Sequence, residues 1–540
     1  MTQVVDVLVI GSGSAGMSAA LRALDGGLKV MVVEKTAFLG GTSAMSGAGI
    51  WIPANHVARA RGIADSPQEA LDYLRAASPE GWQAEEDALW EAFATHAPDA
   101  LAFIEANSPI VFDHVDEPDA MAELPGGKKT GRMVSPRALS RNLLGPLEPH
   151  LRRSTVPHWI TYGEQVDYDP YHHPIRFFLH RWPRLLYRFL TNRRGQGSAL
   201  MGGLIRACQD RGCEFLLEAR ARGLIVDEDG RVAGARIEKD GAVREIRARG
   251  GVVLATGGFE WDETMRRRYF GDAIDRFGSP RANEGDGQKM ADEVGARLDR
   301  MDQANIFPCL PTLYEGKPHG LPMTFQTEQH SMIVDGSGRR FVSETNFNIG
   351  EVMNRRDPET GALLHAPVWL VGDVRFFRAS MPFRWYARKE PGWVRKAGTL
   401  DALARLIDVP AAELKASVAR FNEMSDRGRD DDFQRGRSAF EDYKSHGATN
   451  PLGRIDKAPF YAMSFNRSIL GTKGGARTNA RGQVLRGDGT VIPGLYAAGL
   501  AMANPIGTRA VGAGTTLGPN MTWGYICANT IRDEQAAAPR

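Results

Sequence analysis

Cysteine is scarce in this chain: Cys208, Cys213, Cys309 and Cys527 are the only four among 540 residues. So few and scattered thiols make no disulfide framework. No CxxCH occurs, which excludes a c-type haem, and no cysteine run could hold an iron–sulfur cluster. A charge excess is missing too, because 67 Lys and Arg face 65 Asp and Glu, leaving a formal +2. A general nucleic-acid binder would carry a marked basic surplus, so no nucleic-acid partner is expected. No run of about 18 uncharged apolar residues exists, which argues against a spanning helix. The first residues show no basic segment leading into an apolar core and a cleavage site, so the expected compartment is the cytoplasm. What is present is globular composition, 42% hydrophobic and 24% charged, enough for a large core. The length suits several domains or one large cofactor enzyme.

The chemistry begins at once. Residues 4–10 read as a buried strand, with Val7, Leu8, Val9 and Ile10 as its apolar run. A tight turn follows, Gly11-Ser12-Gly13-Ser14-Ala15-Gly16, a GxGxxG that opens a helix. The first glycine permits the turn, the second lets a pyrophosphate approach the backbone, and the third allows close helix–strand packing. The helix N-terminus then offers free N–H groups to phosphate. A second strand at 30–33 ends at Glu34, where a carboxylate would grip a ribose hydroxyl pair and repel the 2′-phosphate of NADP. Lys35 follows, and then Gly40-Gly41-Thr42-Ser43-Ala44-Met45-Ser46-Gly47, small hydroxyl residues among glycines that suit a pyrophosphate and ribityl chain.

Residues 40–53, GGTSAMSGAGIWIP, resemble the FAD-binding half of the fumarate reductase and 3-ketosteroid dehydrogenase superfamily, and most closely its Δ1-dehydrogenase branch. The likeness continues far along the chain. Ala255, Thr256 and Gly257 belong to an ATGGF-like strand end, and Asn283 and Asp286 to an NxGDG-like turn before a helix at about 288–294. Gly499 closes a second strand of the same kind, and Gly514, Thr515, Thr516 and Leu517 open the last helix. In the superfamily that helix points its N-terminus at the flavin pyrimidine, where its dipole favours the charge of reduced flavin. The resemblance therefore implies an α/β protein: a discontinuous Rossmann-like FAD-binding domain at 1–285 and 455–540, with an insertion at about 110–195. An α+β catalytic domain would occupy 286–454 between the two parts. No histidine stands between Lys35 and Pro53 to anchor flavin, so FAD is expected to be noncovalent. With a single dinucleotide fingerprint there is no built-in NAD(P)H site, and electrons are expected to pass to an external acceptor, a quinone or other carrier.

Dehydrogenating a ketone at its α,β bond requires a polarised carbonyl, a base for the α-proton and a flavin for the β-hydride. In the resembled branch a tyrosine hydroxyl and a glycine N–H hold the carbonyl, and two further tyrosines handle the proton. Gly514 falls at the glycine, but Ala510 stands at the first tyrosine position. The run Arg339-Arg340-Phe341-Val342-Ser343-Glu344 matches the motif before the second, leaving Phe347 or Asn348 there. Before the ELPGG at 123–127 the third position holds Ala120 or Met121. These departures raise the weight of a smaller cyclic ketone relative to a steroid. A fumarate reductase would need an arginine acid where Gln326 or Thr327 stands, and a histidine before a GG where the chain has LGTKGG at 470–475. Arg509 could bind a carboxylate or serve only as a surface or capping residue.

A replacement base is sought in the loop 161–174, TYGEQVDYDPYHHP, with Tyr171 as first choice and Tyr168 as second. This polar-aromatic loop reads either as a lid over the flavin or as an ordinary exposed loop. His172 and His173 lack further spaced ligands, so no metal is expected. At 175–194, aromatic and aliphatic residues alternate with arginines at helical spacing. Such a helix lies in a membrane interface, or it covers an apolar substrate tunnel or a subunit contact. The expected function is FAD-dependent desaturation of a hydrophobic ketone. The alternatives are reduction of an activated C=C bond, as in fumarate reductases or ene-reductases, and a non-catalytic electron-relay flavoprotein.

Overall fold

Short runs of Val, Leu, Ile and Met bounded by glycine turns assemble into a parallel sheet in the computed structural model, which describes residues 3–379, 381–445 and 448–537. Its parallel strands are β1 (Gln3–Ile10), β2 (Val30–Val33), β3 (Glu214–Leu216), β4 (Ala242–Leu254) and β5 (Val491–Ala497). They lie in the order β5-β4-β1-β2-β3. Ile10 is level with Val33 on one side and Leu254 on the other, and Leu254 is level with Ala497. Four strands therefore end along one edge, the edge at which open α/β sheets bind ligands. Near-continuous burial of these strands explains why they read as apolar runs rather than alternating ones.

Five helices bear on the site: α1 (Ser14–Asp25), α2 (Tyr162–Tyr168), α3 (Pro174–Leu190), α4 (Asp286–Glu293) and α5 (Leu517–Ala537). Helix α5 lies against α1 at Gly524, where a Cβ would stand 2.1 Å from Ala15 O. The first and last segments of the chain are thus locked together under the sheet edge. Helix α3 ends four residues sooner than the arginine-rich pattern suggests. Asn192 takes a positive φ of 50°, and Arg193–Arg194 leave the helix to pair with Leu139–Ser140.

One hydrophobic core surrounds the parallel sheet and draws on residues from Val5 to Ala296 and from Ala476 to Ile531. Two further cores, within 259–469 and 332–462, pack around a four-stranded antiparallel sheet. That sheet holds Ser331–Val334, Trp369–Gly372, Phe460–Ser464 and Val394–Ala397 in that spatial order. The architecture is an α/β nucleotide-binding body carrying an inserted α+β unit.

Candidate active site

A cleft of about 810 Å³ opens at the carboxyl edge of the parallel sheet. The turn after β1 forms its floor through Gly11, Gly13, Ser14 and Ala15. Gly11 has φ +107°, and a Cβ there would lie 2.3 Å from Ala255 O, so this turn closes only on glycine. Gly16, one turn into α1, packs on Gly11 and Val9 behind the cleft. Gly41, Thr42 and Ser43 form one wall, and the Ser43 hydroxyl accepts from Ser14 N at 3.1 Å. Ser46 donates to Ser43 O at 2.7 Å and steadies that wall from outside. Ala255, Thr256, Gly257 and Gly499 form the opposite wall.

Two observations show that this cleft fits a dinucleotide. A Cβ on Gly13 would meet nothing nearer than Ser43 Oγ at 3.8 Å, so the floor leaves room that the protein itself does not fill. Asn520 Oδ1 lines the cleft and is buried without a hydrogen-bond partner among the described residues. Glu34 sits at the end of β2, where it accepts from Ser12 Oγ at 2.6 Å and from Thr36 N at 3.0 Å. Lys35 bonds Glu284 and Asp286 at 3.0 and 2.9 Å, and Arg220 also reaches Asp286 at 2.6 Å. Burial alone would raise the Asp286 carboxyl, but Lys35 and Arg220 outweigh it and hold it below the usual carboxylate range.

Several organising residues escape sequence patterns. Glu260 is fully buried; burial pushes its carboxyl up, while Ser279, Asn283 and Thr472 hydrogen-bond to it. Asn283 in turn reaches Thr42 Oγ1 at 3.2 Å, so Glu260 couples both walls of the cleft. Gln288, on α4, donates to Gly257 O, Gly474 O and Leu500 O within 3.2 Å. Arg152 lines the far end of the cleft and bonds Thr36 Oγ1 at 2.9 Å. The only sequence signal for Glu260 was its place directly after the Gly257-Gly258-Phe259 turn.

Beyond the cleft, three positions distant in sequence meet. Asn348 and Ala510 exchange hydrogen bonds, Ala510 N to Asn348 Oδ1 at 2.8 Å and Asn348 Nδ2 to Ala510 O at 3.0 Å. Ala120 N donates to Val511 O at 3.1 Å, and Tyr73 bridges Met121 N to the same carbonyl. Gly514 has φ +78°, and a Cβ there would stand 2.4 Å from Gly49 O. Thr515 donates to Gly512 O at 2.8 Å, and the Gly514 and Thr516 carbonyls accept from Gly518 N and Asn520 N as α5 starts at Leu517. Behind this turn Trp51 Nε1 donates to Asp119, whose carboxyl burial pushes up to about 6, and Arg132 joins Asp119 to Asp65. Arg509 is held by both oxygens of Glu351 at 2.8 and 2.6 Å.

The loop 161–174 is largely helical here, and its tyrosines diverge. Tyr168 is 36% exposed, with the Arg181 guanidinium 3.9 Å from its ring centre. Tyr171 lies beside Tyr386, and burial pushes its hydroxyl up to about 12. Tyr162 is the loop tyrosine that packs on the glycines of the flavin wall. Its ring comes within 3.3 Å of a Cβ built on Gly47 and 2.9 Å of one built on Gly49. The Tyr162 hydroxyl donates to Glu117 Oε2 at 2.6 Å.

The family model described as FAD binding domain matches residues 6–517. A 3-oxosteroid 1-dehydrogenase of Mycolicibacterium smegmatis is 36% identical across 99% of this chain and 98% of its own. A 4-oxocyclohexanecarboxylate 2-dehydrogenase of Sinomonas cyclohexanicum is 35% identical across 98% of this chain and 93% of its own. Among solved structures, the 3-ketosteroid Δ1-dehydrogenase of Sterolibacterium denitrificans, in complex with 1,4-androstadiene-3,17-dione, superposes with a TM-score of 0.89. It is 32% identical and covers 99% of this chain and 100% of that one. The chain belongs to the FAD-binding domain family, as a FAD-dependent oxidoreductase acting on CH–CH groups.

Proposed function

We propose that the chain desaturates an uncharged cyclic ketone, a 3-ketosteroid or a smaller ring, and passes the electrons to an external carrier such as a quinone. The observation that carries this reading is the meeting of Ala120, Asn348 and Ala510 beside Gly514. Those are the positions at which the resembled dehydrogenases carry the tyrosines that hold the carbonyl and handle the proton. Noncovalent FAD would lie along Gly11–Ala15 and Gly41–Ser43, with its phosphates at the α1 N-terminus. It would supply the acceptor for the β-hydride. Gly514 N–H would polarise the carbonyl, while Thr515, Thr516 and Leu517 would bring the α5 N-terminus to the flavin ring. Three cations near this place are paired with carboxylates: Arg509 with Glu351, Arg132 with Asp65 and Asp119, Lys444 with Glu117. That favours a neutral substrate over a carboxylate. Incubation with dichlorophenolindophenol and a panel of steroid and monocyclic ketones tests it. Dye reduction with enone formation is the expected result; oxidation of reduced viologen by enones alone would favour the reductase direction.

We further propose that α3 touches an anionic lipid surface, which would bring the enzyme to apolar ketones and quinones. Ile175, Phe178 and Leu190 are 76%, 60% and 73% exposed, and Trp182, Leu186 and Phe189 share their exposure. Arginines 176 and 184 are exposed on the same helix, a pairing of apolar and cationic residues suited to lipid headgroups. No described helix is long and apolar enough to cross a membrane, so the contact would be peripheral. Flotation with phosphatidylserine vesicles should carry the enzyme upward, and Phe178→Ser with Leu179→Ser should leave it in the dense fraction.

A further inference from the structure

Ala510, Phe347 and Met121 stand where the resembled dehydrogenases hold tyrosines, and a largely buried cluster of a phenol, a carboxylate and an ammonium lies beside the same segments. Tyr162 lies flat on the 47–49 backbone, which tolerates it only because Gly47 and Gly49 lack side chains. Gly49 O in turn lies against Gly514, so the phenol is one backbone segment from the carbonyl-binding turn. Its partner Glu117 stands three residues before Ala120, in the stretch that bonds Val511. Lys444 reaches the other Glu117 oxygen at 3.3 Å. The same Lys444 lies 5.2 Å from the Phe440 ring centre, and Phe440 meets Phe347 edge-on at 4.8 Å. Phe347 belongs to the second of the three converging segments. A chain of contacts thus runs from Gly514 through Gly49, Tyr162, Glu117, Lys444 and Phe440 to Phe347.

Resting on the ketone reading above, we infer that Tyr162 takes the substrate's α-proton and relays it to Glu117, which Lys444 positions. In this step the α C–H bond breaks and its electron pair enters the enolate double bond. The proton arrives on Tyr162 Oη as the phenol's own proton moves to Glu117 Oε2. Bound FAD would supply the two-electron acceptor for the β-hydride that completes the oxidation. Burial first, and then the Glu117 charge, push the Tyr162 hydroxyl well above its ordinary value. Tyr162 therefore stays a phenol at neutral pH, which suits a relay rather than a standing phenolate.

The test separates proton transfer from turnover. Holoenzyme with anaerobically photoreduced FAD cannot accept hydride, yet it can still exchange α-hydrogens of a ketone for deuterium in D₂O. The probes are 4-androstene-3,17-dione and 4-methylcyclohexanone, with exchange followed by NMR. Wild type should exchange, Tyr162→Phe should slow exchange about 10²–10⁴-fold, and Glu117→Gln should slow it at least tenfold. Both variants should keep full flavin content, which a purely structural role would not predict alongside lost exchange. If Tyr162→Phe loses flavin, Glu117→Gln, which can still accept from the phenol, decides alone. Exchange at the wild-type rate in the deciding variant overturns the relay and leaves the ketone reading standing. A wild type that neither exchanges nor oxidises any ketone overturns both.

Discussion

The flavin cradle and the reacting end of this protein are built on different principles. In the cradle, phosphate would be met by backbone: the turn after β1, the N-terminus of α1 and the 41–43 wall line the cleft with glycines and small hydroxyls. At the reacting end the parts are side chains and single N–H groups from segments near 49, 117, 162, 348, 444 and 514. Backbone recognition needs glycine at set spacing, so it leaves a pattern in the sequence. Side-chain recognition needs only that folding bring the right atoms together, so it tolerates relocation of a hydroxyl from one segment to another. On the relay proposed above, a family's cofactor site stays legible while its catalytic groups move.

Two glycine substitutions would separate the two ends. Gly514→Ala should have the largest effect. Its φ of +78° strains any L side chain, and the clash at 2.4 Å is with backbone, which no rotamer relieves. The turn must shift, and loss of a positioned carbonyl donor should lower kcat about 10²–10³-fold while FAD content stays normal. Activity within tenfold of wild type would remove Gly514 from the carbonyl site. Gly13→Val should act the other way. The protein has room for the side chain, since its Cβ meets only Ser43 Oγ at 3.8 Å. The apoprotein should therefore melt as wild type does, while flavin affinity falls about 10–100-fold, or about 1.4–2.8 kcal/mol. Unchanged flavin retention on ultrafiltration would place the pyrophosphate elsewhere.

The same division explains what could be read in advance. The strands at 4–10 and 30–33 appear as Gln3–Ile10 and Val30–Val33, because a buried parallel strand shows as a local apolar run. The helix after the NEGDG turn starts at Asp286, two residues before the reading at 288–294, since the αL cap at Gly285 was not visible in the periodicity. Glu260 carries no pattern beyond its place after the Gly257-Gly258-Phe259 turn, and Gln288 carries none. Each draws its role from hydrogen bonds to residues as distant as Thr472 and Leu500. Telling Tyr162, Tyr168 and Tyr171 apart needed the fold, because Tyr162 and Tyr168 stand at opposite ends of α2 and Tyr171 lies beyond it. Only the structure sets Tyr162 on Gly47 and Gly49 and turns Tyr168 toward Arg181.

The smallest expected effect concerns the 161–174 segment. His172 bonds Asp169 at 2.7 Å and also bonds Glu328 of the inserted unit, tying the end of the 161–174 loop across the boundary. Those hydrogen bonds, from Asp169 and then Glu328, raise its imidazole from an ordinary 6.5 to about 10. A histidine raised on folding contributes fully below its unfolded value and loses the contribution as pH climbs through the folded one. The tie should therefore be intact at pH 6, weaken steadily above about 6.5, and vanish above about 10. Proteolytic nicking within 161–190 reports it, and the ratio of His172→Gln to wild type at each pH cancels the protease's own profile. That ratio should be at least fivefold at pH 6, the floor set by a part-exposed pair worth about 1 kcal/mol, and should decline toward one as pH rises to about 10. A ratio flat with pH would mean that the imidazole is not charged in the folded protein. The loop would then be held in place by packing and by the Glu164–Arg188 pair at 2.6 Å.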